Sequence, residues 1–330
     1  PFDAIDNTGV LLPLFSEVCD NGFKNNHTPI EIVNSFSNKY LDNVSEDEKI
    51  SLMFRFIQYV ERQIVLFDAI EDAAFPVVNN MEGSGSLSDV KERADTKELK
   101  EELISFLEEF NVRTVLTAHP TQFYPGSVLG IITDLTDAIR ANDLNKIKDL
   151  LAQLGKTPFI KKEKPSPFDE AVSLIWYLEN VFYQTSGEML QYIQKNIFKD
   201  KPLSNSIINL GFWPGGDRDG NPFVTTEITL KVADRLRTSI LKCYYREMRN
   251  LKRKLTFFEV DVLVAELEHK LYRSVFYSKG EIYITLEEFK SQLSKIRTIL
   301  IERNQSLYLD ELEGLLIKVN LFGFHFATLD

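Results

Sequence analysis

Ile207-Ile208-Asn209-Leu210-Gly211-Phe212-Trp213-Pro214-Gly215-Gly216-Asp217-Arg218-Asp219-Gly220-Asn221-Pro222 is the stretch whose reading decides the fold. It opens on an apolar run that reads as a short buried strand. It continues into a loop crowded with glycine and proline and carrying Asp217, Arg218 and Asp219. Glycine lets backbone approach a ligand, and proline removes torsional freedom. The Asp-Arg-Asp alternation sets opposite charges side by side, so the flanking carboxylates are expected to hold Arg218 ready for an anion. No Gly-Lys-Ser/Thr follows, which excludes a phosphate-cradling Walker loop. An EF-hand is excluded as well, because the glycine falls too early and no bidentate Glu stands at the required offset.

A second apolar run, Val112-Arg113-Thr114-Val115-Leu116-Thr117, leads straight into Ala118-His119-Pro120-Thr121-Gln122. Again a short strand delivers a reactive side chain at its C-terminal end. Pro120 restricts the backbone, and the Thr117 and Thr121 hydroxyls can orient the ring. An imidazole exchanges a proton near neutral pH. A third apolar run begins at Val319 and reads as another strand, with His325 on its small-residue face alongside Gly323 and Ala327 as a core histidine.

Long helical patterns separate these runs. Ser45 with Glu48 makes a capping box, behind which Ile50, Met53, Phe54, Ile57, Val60, Ile64 and Phe67 recur at helical spacing until Pro76. Residues 77–96, containing Gly83-Ser84-Gly85-Ser86, read as a polar flexible loop. Helices are expected at 99–110, over 126–154 with a possible break near Asn142-Asp143, and over 168–199, 225–255, 259–275 and 286–303. Lys161, Lys162 and Lys164 read as a solvated connector, and the basic 225–255 helix as a solvated or intersubunit face. Strands separated by long helical stretches suggest parallel pairing with crossovers. Polar residues collect at the strand C-termini, where a (β/α)8 barrel keeps its chemistry. Three strands cannot close a barrel, so the pattern leaves either an open sheet or an incomplete barrel.

The 330 residues are 44% hydrophobic and 26% charged, an ordinary globular composition with ample core-forming capacity. The net charge of −11 makes nucleic acid and anionic membranes poor partners, and any anion site must be a local concentration of cations. Cys19 and Cys243 are far apart and lack metal-type spacing, which points to a reducing cytoplasm. No apolar run approaches membrane-spanning length.

Thr117-Ala118-His119-Pro120-Thr121, Lys164-Pro165-Ser166-Pro167-Phe168-Asp169-Glu170-Ala171, Gly215-Gly216-Asp217-Arg218-Asp219-Gly220-Asn221-Pro222 and Phe322 to Asp330 occur in that order. Together they resemble the phosphoenolpyruvate carboxylase family, matching the N-terminal portion, well under half, of a full family chain. The resemblance implies a mainly α chain with a few parallel β-strands, the start of a helix-rich (β/α)8 barrel that is incomplete here. Residues 1–110 would form an N-terminal helical region, and 111–330 the first barrel strands and helices with helical insertions. The implied reaction converts phosphoenolpyruvate and bicarbonate to oxaloacetate and phosphate through carboxyphosphate and an enolate. His119 would help carboxyphosphate form and break down, with Arg218 as the catalytic cation. Thr117, Thr121, Trp213, Gly215, Gly216, Asp217, Asp219 and Asn221 would bind substrate or shape the site.

The resemblance further implies Mg2+ in the full-length enzyme with ligands outside this chain, no organic cofactor, allosteric control and a cytoplasmic homotetramer. The family's Mg2+ carboxylates and a glycine-arginine-rich loop with a second histidine lie downstream of the matched portion. The polypeptide alone is therefore expected to be inactive and to bind neither Mg2+ nor phosphoenolpyruvate tightly. The family commonly carries two arginines shortly after Thr-Ala-His-Pro-Thr. Phe123-Tyr124-Pro125-Gly126 stands there instead, so no phosphate or activator contact of those arginines is assigned. Two other readings stay open: a metal-dependent phosphoryl hydrolase using Asp217 and Asp219, and a non-catalytic helical scaffold.

Overall fold

The computed structural model describes residues 8–117, 124, 126–159, 165–199, 201–203, 205–277 and 283–329. In chain order the elements are α1 (Thr8–Lys24), α2 (Pro29–Tyr40), α3 (Glu46–Val78), α4 (Leu87–Thr96), α5 (Lys100–Glu109), β1 (Val112–Leu116), α6 (Gly126–Arg140), α7 (Leu144–Lys156), α8 (Pro167–Tyr177) and α9 (Tyr183–Ile193). There follow β2 (Ile208–Phe212), α10 (Thr226–Lys254), α11 (Val260–Phe276), α12 (Leu286–Arg303), α13 (Leu309–Phe322) and β3 (Thr328–Leu329). Two single-turn π segments, Leu178–Phe182 and Gln194–Phe198, follow α8 and α9. The chain divides into two compact units, one within residues 1–81 and 121–163, the other within 82–120 and 164–330.

In the first unit, α3 is the longest element. Its capping box forms as the sequence predicts: the Glu48 N–H donates to Ser45 Oγ at 3.4 Å, and the Ser45 N–H donates to Glu48 Oε2 at 3.1 Å. Leu52 and Phe56 pack with Phe36 and Leu41, and Phe15 of α1 stacks on Phe56 at 5.4 Å. Further along, Val65 and Ala69 pack against Val128, Ile131 and Leu135 of α6 and Leu150 and Leu154 of α7. The break between α6 and α7 falls where the sequence predicts it, with Asn142 at φ 53° and Asp143 capping α7. Pro76 does not end α3, which runs on to Val78. Proline removes the donor to the carbonyl four residues back. That carbonyl, on Asp72, accepts Arg140 Nη2 at 2.9 Å instead.

The 77–96 stretch is not all loop: Val77 and Val78 end α3 in the first unit, and α4 lies in the second. Ser86 Oγ accepts the Asp89 N–H at 3.1 Å and starts α4, and Lys91–Asp95 and Arg93–Asp89 pairs support it. β1, β2 and β3 form one parallel sheet in the order β1-β2-β3. Leu116 of β1 stands opposite Phe212 of β2, and Phe212 opposite Leu329 of β3. β2 is central and largely buried, while β1 is exposed except at Leu116. Asn205 ties the entry to β2 onto the end of α5, donating to Leu107 O at 3.0 Å.

The third strand is much shorter than the apolar run from Val319 suggests. Leu312, Leu315, Val319 and Phe322 are spaced for a helix and are buried as one face of α13. Gly323, at φ 53°, then ends the helix, and only Thr328–Leu329 pairs with β2. Tyr244 of α10 holds this reversal: its hydroxyl donates to Gly323 O at 2.8 Å, and its ring packs against Phe289 and Phe324. Burial pushes the Tyr244 phenol well above its usual range, so it remains a donor. Beside it, buried Lys318 pairs with Glu247 and lies 4.8 Å from the Tyr183 ring centre. Gly187 leaves the space for this lysine, because a Cβ there would meet Lys318 Cδ at 2.8 Å.

The basic residues of α10 are not simply solvated. Lys252 pairs with Glu268 of α11, and Lys254 with Glu311 of α13. His325, expected on a strand in the core, is exposed in the turn before β3. Two substitutions test the sheet: Phe212→Ala removes a fully buried ring from the central strand, whereas Val115 on the edge strand is 38% exposed. Urea unfolding should show a loss of about 3–5 kcal/mol for Phe212→Ala and below about 1 kcal/mol for Val115→Ala.

Candidate functional site

The C-terminal ends of β1 and β2 lie side by side because the two strands are parallel and in register to their last residues. One more backbone bond carries the pairing past the strands: the Trp213 N–H donates to Leu116 O at 2.9 Å. Thr117 and Trp213, the first residues beyond the two strands, therefore leave from neighbouring tips. Thr117 is exposed, and Trp213 is 45% exposed rather than packed in the core. His119 and Thr121 lie outside the described residues, as do Lys161, Lys162 and Lys164.

The loop after β2 is built by its own hydrogen bonds. The Gly216 N–H donates to Trp213 O at 2.9 Å and closes a turn. Gly215 occupies that turn at φ 87°, where other residues are strained. It is also pressed against α10, since a Cβ would meet Val232 Cγ2 at 2.7 Å. The Arg218 N–H donates to Gly216 O at 2.8 Å. Asp217 Oδ1 accepts the Gly220 N–H at 3.0 Å, and Asn221 Oδ1 accepts the Phe223 N–H at 3.0 Å. Thr225 then caps α10 by accepting the Ile228 N–H at 3.3 Å.

This geometry revises one expectation. Among the described residues, neither Asp217 nor Asp219 forms an ion pair with Arg218. Asp217 turns back on its own loop, which spends its carboxylate on a backbone N–H. Arg218 and Asp219 stand exposed beyond it. Asp217 and Asn221 shape the loop by hydrogen bonds, and Gly215 and Gly216 make its turn. Val232 escaped the sequence reading, because nothing in its local pattern marks it as the wall behind Gly215. Among the described residues no group of three or more His, Cys, Asp or Glu is placed to hold a metal ion.

A cavity of about 570 Å³ opens elsewhere in the same unit, between the first turn of α8 and α10. Ser166 and Phe168, from the Pro-Ser-Pro segment, line it with Lys231 and Arg235. It uses none of the side chains of the 213–221 loop. No described helix is long and apolar enough to cross a membrane.

The family model for phosphoenolpyruvate carboxylase matches residues 25–276, most of the chain and both strand-tip segments. The chain belongs to the phosphoenolpyruvate carboxylase family. The phosphoenolpyruvate carboxylase of Shewanella sediminis is 28% identical over 232 residues, covering 65% of this chain and 25% of that protein. That of Shewanella loihica is 26% identical over 275 residues, covering 70% of this chain and 31% of that protein. Phosphoenolpyruvate carboxylase 2 of Chlamydomonas reinhardtii is 29% identical over 187 residues, covering 52% and 15%. The chain thus spans under a third of the length of these phosphoenolpyruvate carboxylases.

The loop geometry makes a specific demand on Gly215. Gly215→Ala should cost about 1–3 kcal/mol in urea unfolding, from the positive φ and the Val232 contact together. Val232→Ala in the same molecule should return the steric part and leave the backbone part. Asp217→Asn keeps an acceptor for the Gly220 N–H, whereas Asp217→Ala removes it. Limited proteolysis should therefore cut within 213–225 faster in Asp217→Ala than in Asp217→Asn.

Proposed function

We propose that this chain forms the N-terminal part of a phosphoenolpyruvate carboxylase, converting phosphoenolpyruvate and bicarbonate to oxaloacetate and phosphate. The observation that carries the reading is the parallel, in-register pairing that sets the end of β1 beside the end of β2. His119 follows β1 by three residues, and Arg218 follows β2 by six. The open three-stranded sheet would be the first arc of a (β/α)8 barrel, with its chemistry at the strand C-termini.

The reaction explains the demand for these side chains. Bicarbonate attacks phosphorus on an already anionic substrate, so a fixed cation lowers the barrier. Arg218 suits that role: it is exposed at a strand tip, and no carboxylate among the described residues neutralises it. The carboxyphosphate and enolate that result must be kept from water, or the enolate is protonated to pyruvate. Trp213, half exposed at the mouth of β2, would cover one side of that space. His119 would hold the proton that moves as CO2 is released and captured. Asp217 and Asn221 would position the loop without touching substrate. The described carboxylates do not form a set that fits Mg2+. Mg2+ in a full-length enzyme would offset the charge between the two anions, held by ligands outside this chain. Cytoplasmic location, tetrameric assembly and allosteric control belong to the same reading.

The test uses a chimera in which this chain replaces the matching segment of the Shewanella sediminis protein. Oxaloacetate formation, coupled to an NADH-linked dehydrogenase, is expected in the chimera and absent from the 330-residue chain alone. His119→Asn should lower kcat at least about 100-fold. Arg218→Ala should lower kcat/KM for phosphoenolpyruvate about 100- to 1,000-fold. Retention of kcat and kcat/KM within tenfold in both variants would overturn the assignment.

A further inference from the structure

The third strand ends level with the other two. Leu329 stands opposite Phe212, and Phe212 opposite Leu116, so all three strands leave the sheet at one edge. The loop that carries Arg218 starts from the middle of that edge, between the ends of β1 and β3. Among the described residues β3 pairs through Thr328 and Leu329 alone, a ladder shorter than an ordinary strand. Its placement therefore depends on the turn that delivers it. Gly323 is at φ 53° and ψ −139°, a conformation that residues with a Cβ rarely enter. Phe326 is at φ 67°, where a bulky side chain is strained, yet its residue is only 2% exposed. The Phe326 ring meets Phe322 edge-on at 5.3 Å and Tyr183 at 6.3 Å. A strained backbone persists only where its surroundings over-determine it, and such strain clusters at functional sites.

Tyr244 reaches this turn from α10. Its hydroxyl donates to Gly323 O at 2.8 Å, with Lys318 O farther off at 3.3 Å. Gly323 is buried, so its carbonyl depends on a protein donor. The Tyr244 ring is fully buried and packs on Phe289 and Phe324 at 5.6 and 6.2 Å, which gives the hydroxyl a fixed position. Without the hydroxyl, a buried carbonyl is left unsatisfied beside a strained phenylalanine. The turn then relieves both by shifting. A shift there displaces the end of β3 and opens the flank of the Arg218 loop that faces away from β1. The enolate of the proposed reaction must be kept from water, so such an opening has a chemical consequence. Misplacement by about 1 Å, even far from the chemistry, costs about 100-fold in rate.

We propose that Tyr244 is a positioning residue for the carboxylation: its hydroxyl sets the Gly323–Ala327 turn that brings the end of β3 beside the Arg218 loop. The assignment rests on the carboxylase reading above and is tested in the same chimera. Tyr244→Phe keeps the ring and removes the hydroxyl. It should lower kcat about 10- to 100-fold while KM for phosphoenolpyruvate stays within about threefold. Pyruvate formed per oxaloacetate, with oxaloacetate trapped by malate dehydrogenase, should rise several-fold. That ratio does not depend on how much enzyme folds, so a merely structural loss leaves it unchanged. Gly323→Ala perturbs the same turn from the backbone, since a Cβ there would meet His325 Cε1 at 2.9 Å, and it should raise the ratio as well. Leu267→Ala removes buried volume from α11 and no hydrogen bond, so it should lower the unfolding midpoint and leave the ratio alone. Should one of the two turn variants fail to fold, the other carries the reading. An unsubstituted chimera that forms no oxaloacetate would overturn the carboxylase reading and this assignment with it. An active chimera whose product ratio is indifferent to Tyr244→Phe would overturn this assignment alone. Failure of both turn variants to fold would make the hydroxyl a stabilising group only and overturn it equally.

Discussion

Parallel backbone pairing between β1 and β2 is the constraint on which the site depends. Leu116 and Phe212 stand 96 positions apart in the chain, yet their backbones are neighbours. Parallel pairing places both strand exits at the same edge of the sheet, whereas antiparallel pairing would send them to opposite edges. The Trp213 N–H to Leu116 O bond extends that alignment one residue into the loop. Whatever follows β1 and β2 must start from adjacent points. A histidine segment and an arginine loop remote in sequence thereby acquire a common origin.

The rest of the second unit serves to keep that edge still. Phe212 is fully buried beneath it, and β2 is flanked on both sides. Behind the loop, Val232 of α10 closes against Gly215, so the turn cannot relax without moving a long helix. The same helix supplies Tyr244, whose hydroxyl holds the reversal that delivers β3. The Lys318–Glu247 pair, whose lysine is buried and whose glutamate is partly exposed, joins α13 to α10 at this core. Replacing such a pair by apolar residues is often neutral, but losing one partner leaves an unpaired buried charge. The loop itself is satisfied from within, by Asp217 and Asn221. That leaves Arg218 as its exposed cation: Asp217 is committed to a backbone donor, and Asp219 stands exposed without pairing to it.

Much of this was legible in the residues. β1 and β2 announce themselves as short apolar runs stopped by charged or glycine-rich loops. The Ser45 capping box begins α3 by a local rule that needs no tertiary information, and the structure adds Ser166 and Thr225 as caps of helices that the periodicity alone suggested. What escaped the sequence was set by distant partners. The run from Val319 is apolar enough for a strand, but it continues the helical spacing of Leu312 and Leu315, and that face is buried against α9, α10 and α12. Pro76 fails to stop α3 because an arginine on another helix takes the freed carbonyl. Ser86 was lost inside a polar stretch whose composition hid α4. Arg218 between two aspartates looked like a clamped cation, since adjacency along the chain says nothing about where Asp217 Oδ1 points. Family membership rests on a match spanning residues 25–276, and the residue roles are proposals drawn from that resemblance.

The most direct measurement is the separation of positions 119 and 218. Spin labels at His119→Cys and Arg218→Cys, in a Cys19→Ser background, report it by dipolar broadening. Adjacent strands lie about 4.8 Å apart and a residue reaches at most about 3.6 Å. Nine residues beyond the strand ends could carry the two groups more than about 30 Å apart, so it is the shared pocket, not chain reach, that predicts a separation on the order of 10–15 Å. A separation beyond about 25 Å would place the two groups apart and contradict the account.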